Sequence, residues 1–305
     1  MENIPNNMRD KTLHVPVGHR CNNNCIFCME QRIKPEKTLE ELEEYIKKSS
    51  KDNFTRIVFT QKEPTLTYKK LIALAKLSKK IGFEDIMLIT NGRLISNENL
   101  AKNLVLAGIN HFEISLHGSD KKTHEFMTRT PNSYEQTIKG IENIQSLSKK
   151  FRLFYTINFT VTSLNYKNIC EFQDFALQFE PSRIIFNNFI TKDEAAKKWK
   201  LLTPRYSDIL DEIRKIRTKK FILIDFPYCI FGPEFNENLG TIENYHLMKQ
   251  KKPENDDATE KYIKDDWINT KAELEKCKDC KLFMQCTKPT KEYILKYGDA
   301  ELLPK

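Results

Sequence analysis

The chain lacks any long hydrophobic run. No stretch of its 305 residues approaches the roughly 18 consecutive apolar residues that a membrane-spanning helix needs. Residues 1–11 are polar and contain no apolar signal region, and neither an internal repeat nor a low-complexity tail is visible. These absences disfavour a membrane protein and a secreted protein, and they predict a cytoplasmic protein without a membrane partner.

The chain also lacks a concentrated basic stripe. Its 50 basic and 42 acidic residues give a formal charge of +8, which permits an anionic partner without requiring one. Charge runs such as residues 192–200 mix both signs, which is typical of a solvated helix face. The sequence therefore disfavours nucleic acid as a partner.

Three cysteines stand close together near the start of the chain: Cys21, Cys25 and Cys28. Their spacing and the missing signal region favour reduced thiols over disulfides. Each thiolate can bind one iron, so one loop can wrap around a single iron–sulfur cluster. Three ligands leave one iron of a [4Fe-4S] cluster open to a substrate or cosubstrate. A zinc knuckle and three buried core cysteines are the alternatives that the spacing leaves open.

Hydrophobic periodicity predicts six β/α units up to residue 217. Thr38 and Glu41 form a capping box at the first helix, and Thr203 is predicted to cap the sixth, with Pro204 in its first turn. Right-handed crossovers turn such a series into a parallel sheet that can curl into a partial barrel. The predicted strands are 12–17, 56–60, 86–90, 112–116, 153–161 and 183–189.

Polar residues follow the predicted strands. Glu63 comes after the second strand and Asn91 after the third, while Ser115 lies at the end of the fourth and Asn158 lies along the fifth. Functional groups of parallel α/β folds gather beyond the carboxyl ends of the strands, so we expect the active site at this edge. We interpret His117, just after the fourth strand, as a satisfied polar residue rather than a catalytic one.

A second cysteine group lies near the other end of the chain: Cys277, Cys280 and Cys286. Together with Cys229, they would supply four thiolates to a zinc ion or to a second [4Fe-4S] cluster. A charged tract at residues 249–266, between Cys229 and Cys277, is predicted to be an exposed loop.

The early cysteine triplet, with Phe27 directly before its last member, resembles the signature of the radical S-adenosylmethionine (SAM) superfamily. The resemblance implies a partial (β/α)6 barrel of the TIM type, whose open iron chelates SAM. It further implies reduction of SAM by an external one-electron donor, release of methionine and a 5′-deoxyadenosyl radical that takes a hydrogen atom from a substrate.

The segment from Phe59 to Leu66 resembles the Gly-Gly-Glu-Pro motif of that family, which holds the SAM amino group. Gln61 and Lys62 replace both glycines. Arg129 is the candidate for the methionyl carboxylate, because a guanidinium can bind a carboxylate through two hydrogen bonds. The candidate SAM-binding residues are Phe27, Thr60, Glu63, Asn91, Ser115, Arg129 and Asn158.

The C-terminal cysteines resemble the auxiliary-cluster extensions called Twitch or SPASM. A full SPASM run would place a further cysteine where Thr290 stands, so one auxiliary [4Fe-4S] cluster is expected rather than two. This context favours iron–sulfur over zinc. The predicted domains are a radical SAM barrel over residues 11–217 and an auxiliary-cluster domain over residues 218–305.

These patterns predict a radical SAM oxidoreductase. The resemblance to auxiliary-cluster enzymes suggests a peptide or protein side chain as substrate, with dehydrogenation or cross-linking as the outcome, and a small metabolite as the second choice. Few residues precede the first strand, so any peptide-recognition module is expected on a separate chain.

Three further hypotheses remain open. Cys170 is a candidate hydrogen-atom donor of the kind that radical epimerases use, although a buried helix residue is the plainer interpretation. A nucleic-acid modifying enzyme with a zinc-binding C-terminal module is one alternative function. A non-enzymatic iron–sulfur electron carrier is the other.

Overall fold

The computed structural model describes residues 12–29, 36–50, 54–240, 269–283 and 286–305. Residue 11, where the barrel is predicted to begin, and the tract 249–266 lie outside the described residues. None of the described helices has the length and apolar character needed to cross a membrane.

A single sheet holds eight strands in the order in which they occur along the chain. Pairing is parallel from the first strand to the fourth and from the fifth to the eighth. The strands are β1 Thr12–Pro16, β2 Arg56–Thr60, β3 Asp85–Thr90, β4 His111–Ser115, β5 Phe154–Val161, β6 Arg183–Asn188, β7 Phe221–Ile224 and β8 Leu239–Gly240.

Helices alternate with these strands, which confirms the predicted α/β class. They are α1 Leu39–Ser49, α2 Tyr68–Ile81, α3 Glu98–Ala107, α4 Lys121–Thr128, α5 Ser133–Ser148, α6 Ile169–Leu177, α7 Asp193–Ala196, α8 Trp199–Leu202, α9 Tyr206–Ile213, α10 Tyr228–Phe235 and α11 Lys291–Tyr297. All six predicted strands are present. The sheet also continues past residue 217 into β7, while the division into two domains at that position stays a prediction.

The described chain divides into two compact units. The first holds β1 to β3, β4 up to Ile114, α1 to α3 and most of α5. The second holds α4, β5 from Thr156 onward, β6 to β8 and the remaining helices. In the first unit, alternate residues of β1 are buried, and the inner face of α1 buries Leu42 and Ile46. In the second unit, Phe159 and Phe172 pack with ring centroids 4.4 Å apart.

The predicted capping box at α1 is confirmed. The hydroxyl of Thr38 accepts a hydrogen bond from the N–H of Glu41 (3.2 Å), and the Glu41 carboxylate accepts one from the N–H of Thr38 (2.7 Å). The reciprocal bonds satisfy two backbone donors that a helix start otherwise leaves without partners.

The predicted start of the sixth helix is wrong. α9 begins at Tyr206 with Arg205 as its N-cap residue, so neither Thr203 nor Pro204 initiates it. The carbonyl of Thr203 instead accepts hydrogen bonds from the Lys296 ammonium (2.7 Å) and the Tyr297 hydroxyl (3.0 Å) of α11. Thr203, which the local sequence pattern predicts to be a helix cap, thus takes part in a long-range contact instead.

Candidate active site

Glu63 links the loops beyond β1, β2 and β3 in the first unit. Its N–H donates to the carbonyl of Arg20 (3.0 Å). One carboxylate oxygen accepts from the N–H and hydroxyl of Thr65 (3.2 and 2.5 Å) and from the hydroxyl of Thr90 (2.7 Å), and the other accepts from the N–H of Asn91 (2.7 Å). Burial raises the pKa of Glu63, and these hydrogen bonds oppose the shift. The Glu63 carboxylate therefore holds together the segments that follow β2 and β3. A contact between Glu63 and SAM stays a prediction.

The two residues before Glu63 adopt backbone conformations that favour glycine. Gln61 has φ of 78° and Lys62 has φ of 56°, both in the left-handed region. Both positions therefore adopt a backbone conformation that glycine reaches more easily, although neither residue is a glycine. Thr60 ends β2, and its carbonyl accepts a hydrogen bond from the N–H of Val17 (3.2 Å).

Asn91 connects the end of β3 to Cys21, also in the first unit. Its side-chain N–H group lies 2.6 Å from the side-chain oxygen of Asn22 and 3.8 Å from the sulfur of Cys21. Cys21 is solvent-exposed. Arg93, two residues further on, donates a guanidinium hydrogen bond to the carbonyl of Asn22. These bonds give the first cysteine of the triplet a defined position.

The later part of the cysteine loop is held by α4 in the second unit. The N–H groups of Asn24 and Ile26 donate to the carbonyls of Thr128 (3.0 Å) and Met127 (2.9 Å). The last carbonyls of a helix lack partners within the helix, so the loop satisfies them. Arg129 ends α4 with φ of 52°, a left-handed C-cap, while its predicted contact with a carboxylate stays a prediction.

Phe27 packs against a pair of histidines in the same unit. Its ring centroid lies 4.6 Å from that of His117, nearly edge-on, and the His117 ring stacks on His124. Nδ1 of His117 accepts from the N–H of Thr160, and Nδ1 of His124 accepts from the N–H of His117, each at 3.2 Å. Neutral rings in these positions carry their proton on Nε2. Burial lowers the pKa of His117 well below its usual range, which agrees with its interpretation as a satisfied polar residue.

Two further candidates lie on neighbouring strands. Ser115 is the last residue of β4, and Asn158 lies on β5 and is almost fully buried. The carbonyl of Asn158 accepts from the N–H of Leu116 (2.9 Å), the residue after Ser115. Their predicted roles in binding SAM stay predictions.

The C-terminal thiols are electrostatic neighbours in the second unit. Burial raises the pKa of Cys229 to about 11, and Cys286 and Cys277 add to the shift. Burial also raises the pKa of Cys277; Lys288 opposes this shift, and Cys286 and Cys280 add to it. A group in which neighbouring thiols act on Cys229 and Cys277 suits a soft metal centre.

Backbone N–H groups also point at two of these sulfurs. The N–H of Lys288 lies 3.4 Å from the sulfur of Cys286, and the N–H of Lys305 lies 3.4 Å from that of Cys280. Hydrogen bonds of this type accompany metal-bound thiolates. Among the described residues, all eight cysteines are free thiols, and no three histidine, cysteine or acidic side chains already converge as a metal centre. The four C-terminal thiols therefore have the chemistry that a thiolate-ligated cofactor needs. Their role as the ligands of such a cofactor stays a prediction.

Cys170 lies apart from these groups. It is the second residue of α6, and its thiol lies 3.6 Å from the carbonyl of Lys215. Its role as a hydrogen-atom donor stays a prediction.

A parallel α/β sheet with a thiol-bearing loop after its first strand and a polar network at its carboxyl edge defines a class of metal-dependent α/β enzymes. Residues 15–176 match the Radical SAM superfamily, and the chain belongs to that superfamily. Membership implies SAM and a [4Fe-4S] cluster as cofactors.

The curated relatives of this chain include GTP 3′,8-cyclases. The protein from Peptoclostridium acidaminophilum is 35% identical over 142 residues, which cover 44% of this chain and 42% of the relative. A probable GTP 3′,8-cyclase of Methanocaldococcus jannaschii is 25% identical over 228 residues, or 73% of this chain and 74% of the relative. The chain thus spans less than half the length of the first of these relatives.

Solved structures share the fold at low sequence identity. Streptococcus suis SuiB bound to S-adenosylmethionine has a TM-score of 0.53 at 17% identity, covering 79% of this chain and 49% of that one. A histidine-tagged form of anSMEcpe with bound AdoMet has a TM-score of 0.51 at 21% identity, covering 78% and 62%. These similarities confirm the predicted partial-barrel fold class.

Proposed function

We propose that this chain is a radical SAM enzyme that cleaves SAM reductively and takes a hydrogen atom from an organic substrate. The cysteine triplet with Phe27, placed directly after β1 in a member of this superfamily, carries the proposal. Cys21, Cys25 and Cys28 would hold the [4Fe-4S] cluster. When bound, this cluster delivers an electron from an external donor to SAM, which releases methionine and a 5′-deoxyadenosyl radical.

The chain's own residues hold and orient the cosubstrate. We assign Phe27 to contact with the adenine, since it is packed edge-on against His117 and its position is therefore restricted. In this proposal, backbone carbonyls of the strained turn at Gln61 and Lys62 bind the amino group of SAM. Ser115 and Asn158 supply polar groups for the ribose, and Arg129 supplies a cation for the methionyl carboxylate.

For the substrate, we propose a peptide or protein side chain. The set of Cys229, Cys277, Cys280 and Cys286 supports this choice, because it resembles the auxiliary-cluster extensions of peptide-modifying radical SAM enzymes. In this proposal the four thiolates hold an auxiliary [4Fe-4S] cluster, which would accept an electron from the substrate or bind the substrate directly.

A purine nucleotide is the second candidate substrate. Curated relatives named GTP 3′,8-cyclase align with up to 73% of this chain, and this observation favours a nucleotide over other small molecules. A nucleotide is also an anion, which suits the mild positive charge of the chain.

The central test is a SAM-cleavage assay on anaerobically reconstituted protein. We expect 5′-deoxyadenosine from the wild type with a reductant, and none from Cys25→Ala, because one iron loses its thiolate. The absence of 5′-deoxyadenosine from fully metallated wild type would overturn the proposal.

The substrate class is tested in the same assay. Adding GTP should leave the rate of 5′-deoxyadenosine formation unchanged and yield no nucleotide product. A stoichiometric cyclised nucleotide would instead establish the second candidate.

The role of Cys170 as a hydrogen-atom donor is tested by deuterium incorporation from deuterated water into the product. Unchanged incorporation in the Cys170→Ala variant would exclude Cys170 as the donor.

A further inference from the structure

The side-chain amide of Asn91 has one defined orientation. Its oxygen accepts the N–H of Arg93 (3.0 Å), so its nitrogen is the atom that faces Asn22 and Cys21. The nitrogen lies 2.6 Å from the Asn22 side-chain oxygen and 3.8 Å from the Cys21 sulfur. An amide nitrogen carries two N–H donors, so each of these acceptors can receive one.

The backbone of Asn91 is fixed as well. Its N–H donates to the buried carboxylate of Glu63 at 2.7 Å. The same carboxylate accepts a hydrogen bond from the hydroxyl of Thr90, which ends β3 and directly precedes Asn91. The N–H donor that faces Cys21 is therefore held from both its main chain and its side chain. A donor held in place before the ligand binds loses little entropy when it acts.

A positive charge lies in the same network. The guanidinium of Arg93 donates to the carbonyl of Asn22, the residue directly after Cys21. The guanidinium group carries this positive charge. Hydrogen bonds to a ligating sulfur and nearby positive charge both favour the more negatively charged, reduced state of an iron–sulfur cluster.

We propose that Asn91 is a positioning residue for Cys21 that raises the reduction potential of the cluster, with Arg93 contributing through its charge. The proposal gives Asn91 a task other than the SAM contact that sequence suggests, because both N–H groups of its amide already face Asn22 and Cys21. It rests on the proposed function only in taking Cys21 as a cluster ligand.

The test is a redox titration followed by electron paramagnetic resonance on the full chain, reconstituted without SAM. SAM is added at the end to identify the N-terminal cluster by the change in its signal. We expect a more negative potential in Asn91→Ala, which removes the N–H donor. The shift should be larger in Asn91→Asp, which keeps the acceptor for Arg93 but places a carboxylate oxygen beside the sulfur.

Arg93→Met provides an independent variant, because it retains the backbone N–H that orients Asn91 and removes the charge together with the guanidinium hydrogen bond to the Asn22 carbonyl. Asn97→Ser is the matched control: Asn97 caps α3 through its side-chain oxygen, and serine keeps a capping oxygen. We expect Arg93→Met to show a lowered potential and Asn97→Ser to match the wild type. Circular dichroism before reconstitution checks that each variant is folded.

Equal potentials in the wild type, Asn91→Ala, Asn91→Asp and Arg93→Met would overturn the inference. If Asn91→Ala folds but binds no cluster, Arg93→Met decides: a lowered potential supports the inference and an unchanged one overturns it. If the SAM-sensitive cluster of the wild type persisted in the Cys21→Ala variant, Cys21 would not be a cluster ligand. That result would instead contradict the ligand assignment on which the proposed function depends.

Discussion

Gln61 and Lys62 keep a left-handed backbone that costs L-amino acids about 1–2 kcal/mol per residue. The turn persists because the following residue, Glu63, is fixed by the Arg20 carbonyl and by four hydrogen bonds to its carboxylate. Strain of this kind is maintained where the surrounding structure determines the conformation. The local sequence therefore disfavours the turn, and the contacts of Glu63 impose it.

Replacing Lys62 with glycine should stabilise the protein. Glycine relieves the left-handed strain and loses part of that gain to backbone entropy, so we expect the free energy of unfolding to rise by about 0.5–1 kcal/mol. Urea unfolding of the metal-free protein measures it. Lys62→Ala is the matched control, because alanine removes the side chain and keeps the strain. A Lys62→Gly variant no more stable than Lys62→Ala would contradict the prediction.

In the folded protein, we expect the His117 ring to stay neutral even at pH values well below 6.5, with its single ring proton on Nε2. Burial lowers its pKa, so the unfolded chain takes up a proton near pH 6.5 while the folded chain does not. Its contribution to stability is therefore present above that pH and is lost as the pH falls toward the folded pKa. ¹⁵N NMR of labelled histidine reports both tautomer and titration. An ordinary midpoint near pH 6.5 for His117 would refute the expectation.

At the scale of elements, the six strands and α1 could be predicted because their signals are local. Alternating or continuous apolar runs define the strands, and a capping box defines the start of α1. Hydrophobic periodicity alone gives no helix signal at α4, because the first turn of α4 is charged and its apolar residues are few. Asp120 before it is the signal that could have revealed the helix, as it caps the helix through Thr123.

The partners of the site residues could not be predicted from sequence. The triplet of cysteines is recognisable from spacing alone, but its attachment to α4 and to Asn91 depends on contacts between residues far apart in the chain. The sequence predicts Glu63 as a site residue, whereas the four hydrogen bonds to its carboxylate depend on the folded structure. Spacing predicts which chemistry is present, and long-range packing determines what each side chain touches.

Removing the N-cap of α4 should loosen the cysteine loop. The Asp120 carboxylate accepts from the N–H (2.9 Å) and hydroxyl (2.7 Å) of Thr123, and Asp120→Ala should cost about 1 kcal/mol. Because the other end of α4 holds the N–H groups of Asn24 and Ile26, their hydrogen exchange should accelerate. Mass spectrometry of the exchanged protein measures this. Asp120→Asn retains a cap and should match the wild type; unchanged exchange in Asp120→Ala would argue against the coupling.

At the scale of the whole molecule, the C-terminal segment is anchored by its own side chains in the second unit. Tyr293 of α11 stacks on Tyr206 with ring centroids 3.8 Å apart, and its hydroxyl accepts the N–H of Tyr206 (3.2 Å). Lys271 and Asp225 form a fully buried ion pair, with nitrogen and oxygen 3.9 Å apart. These contacts hold residues on either side of Cys277, Cys280 and Cys286 and involve no cysteine side chain.

The Tyr293–Tyr206 stacking and the Lys271–Asp225 ion pair use no cysteine side chain, so we expect the chain to stay folded when the C-terminal thiols are replaced. We expect the double variant Cys277→Ser and Cys280→Ser to lose about four of about eight irons per chain after reconstitution, while the signal change on adding SAM persists. Cys170→Ser is the matched control and should keep all the iron, since the Cys170 thiol faces the carbonyl of Lys215. Iron and zinc analysis by mass spectrometry reports both metals. One zinc per chain that disappears in the double variant, with iron unchanged at about four, would establish a zinc site and refute the auxiliary cluster.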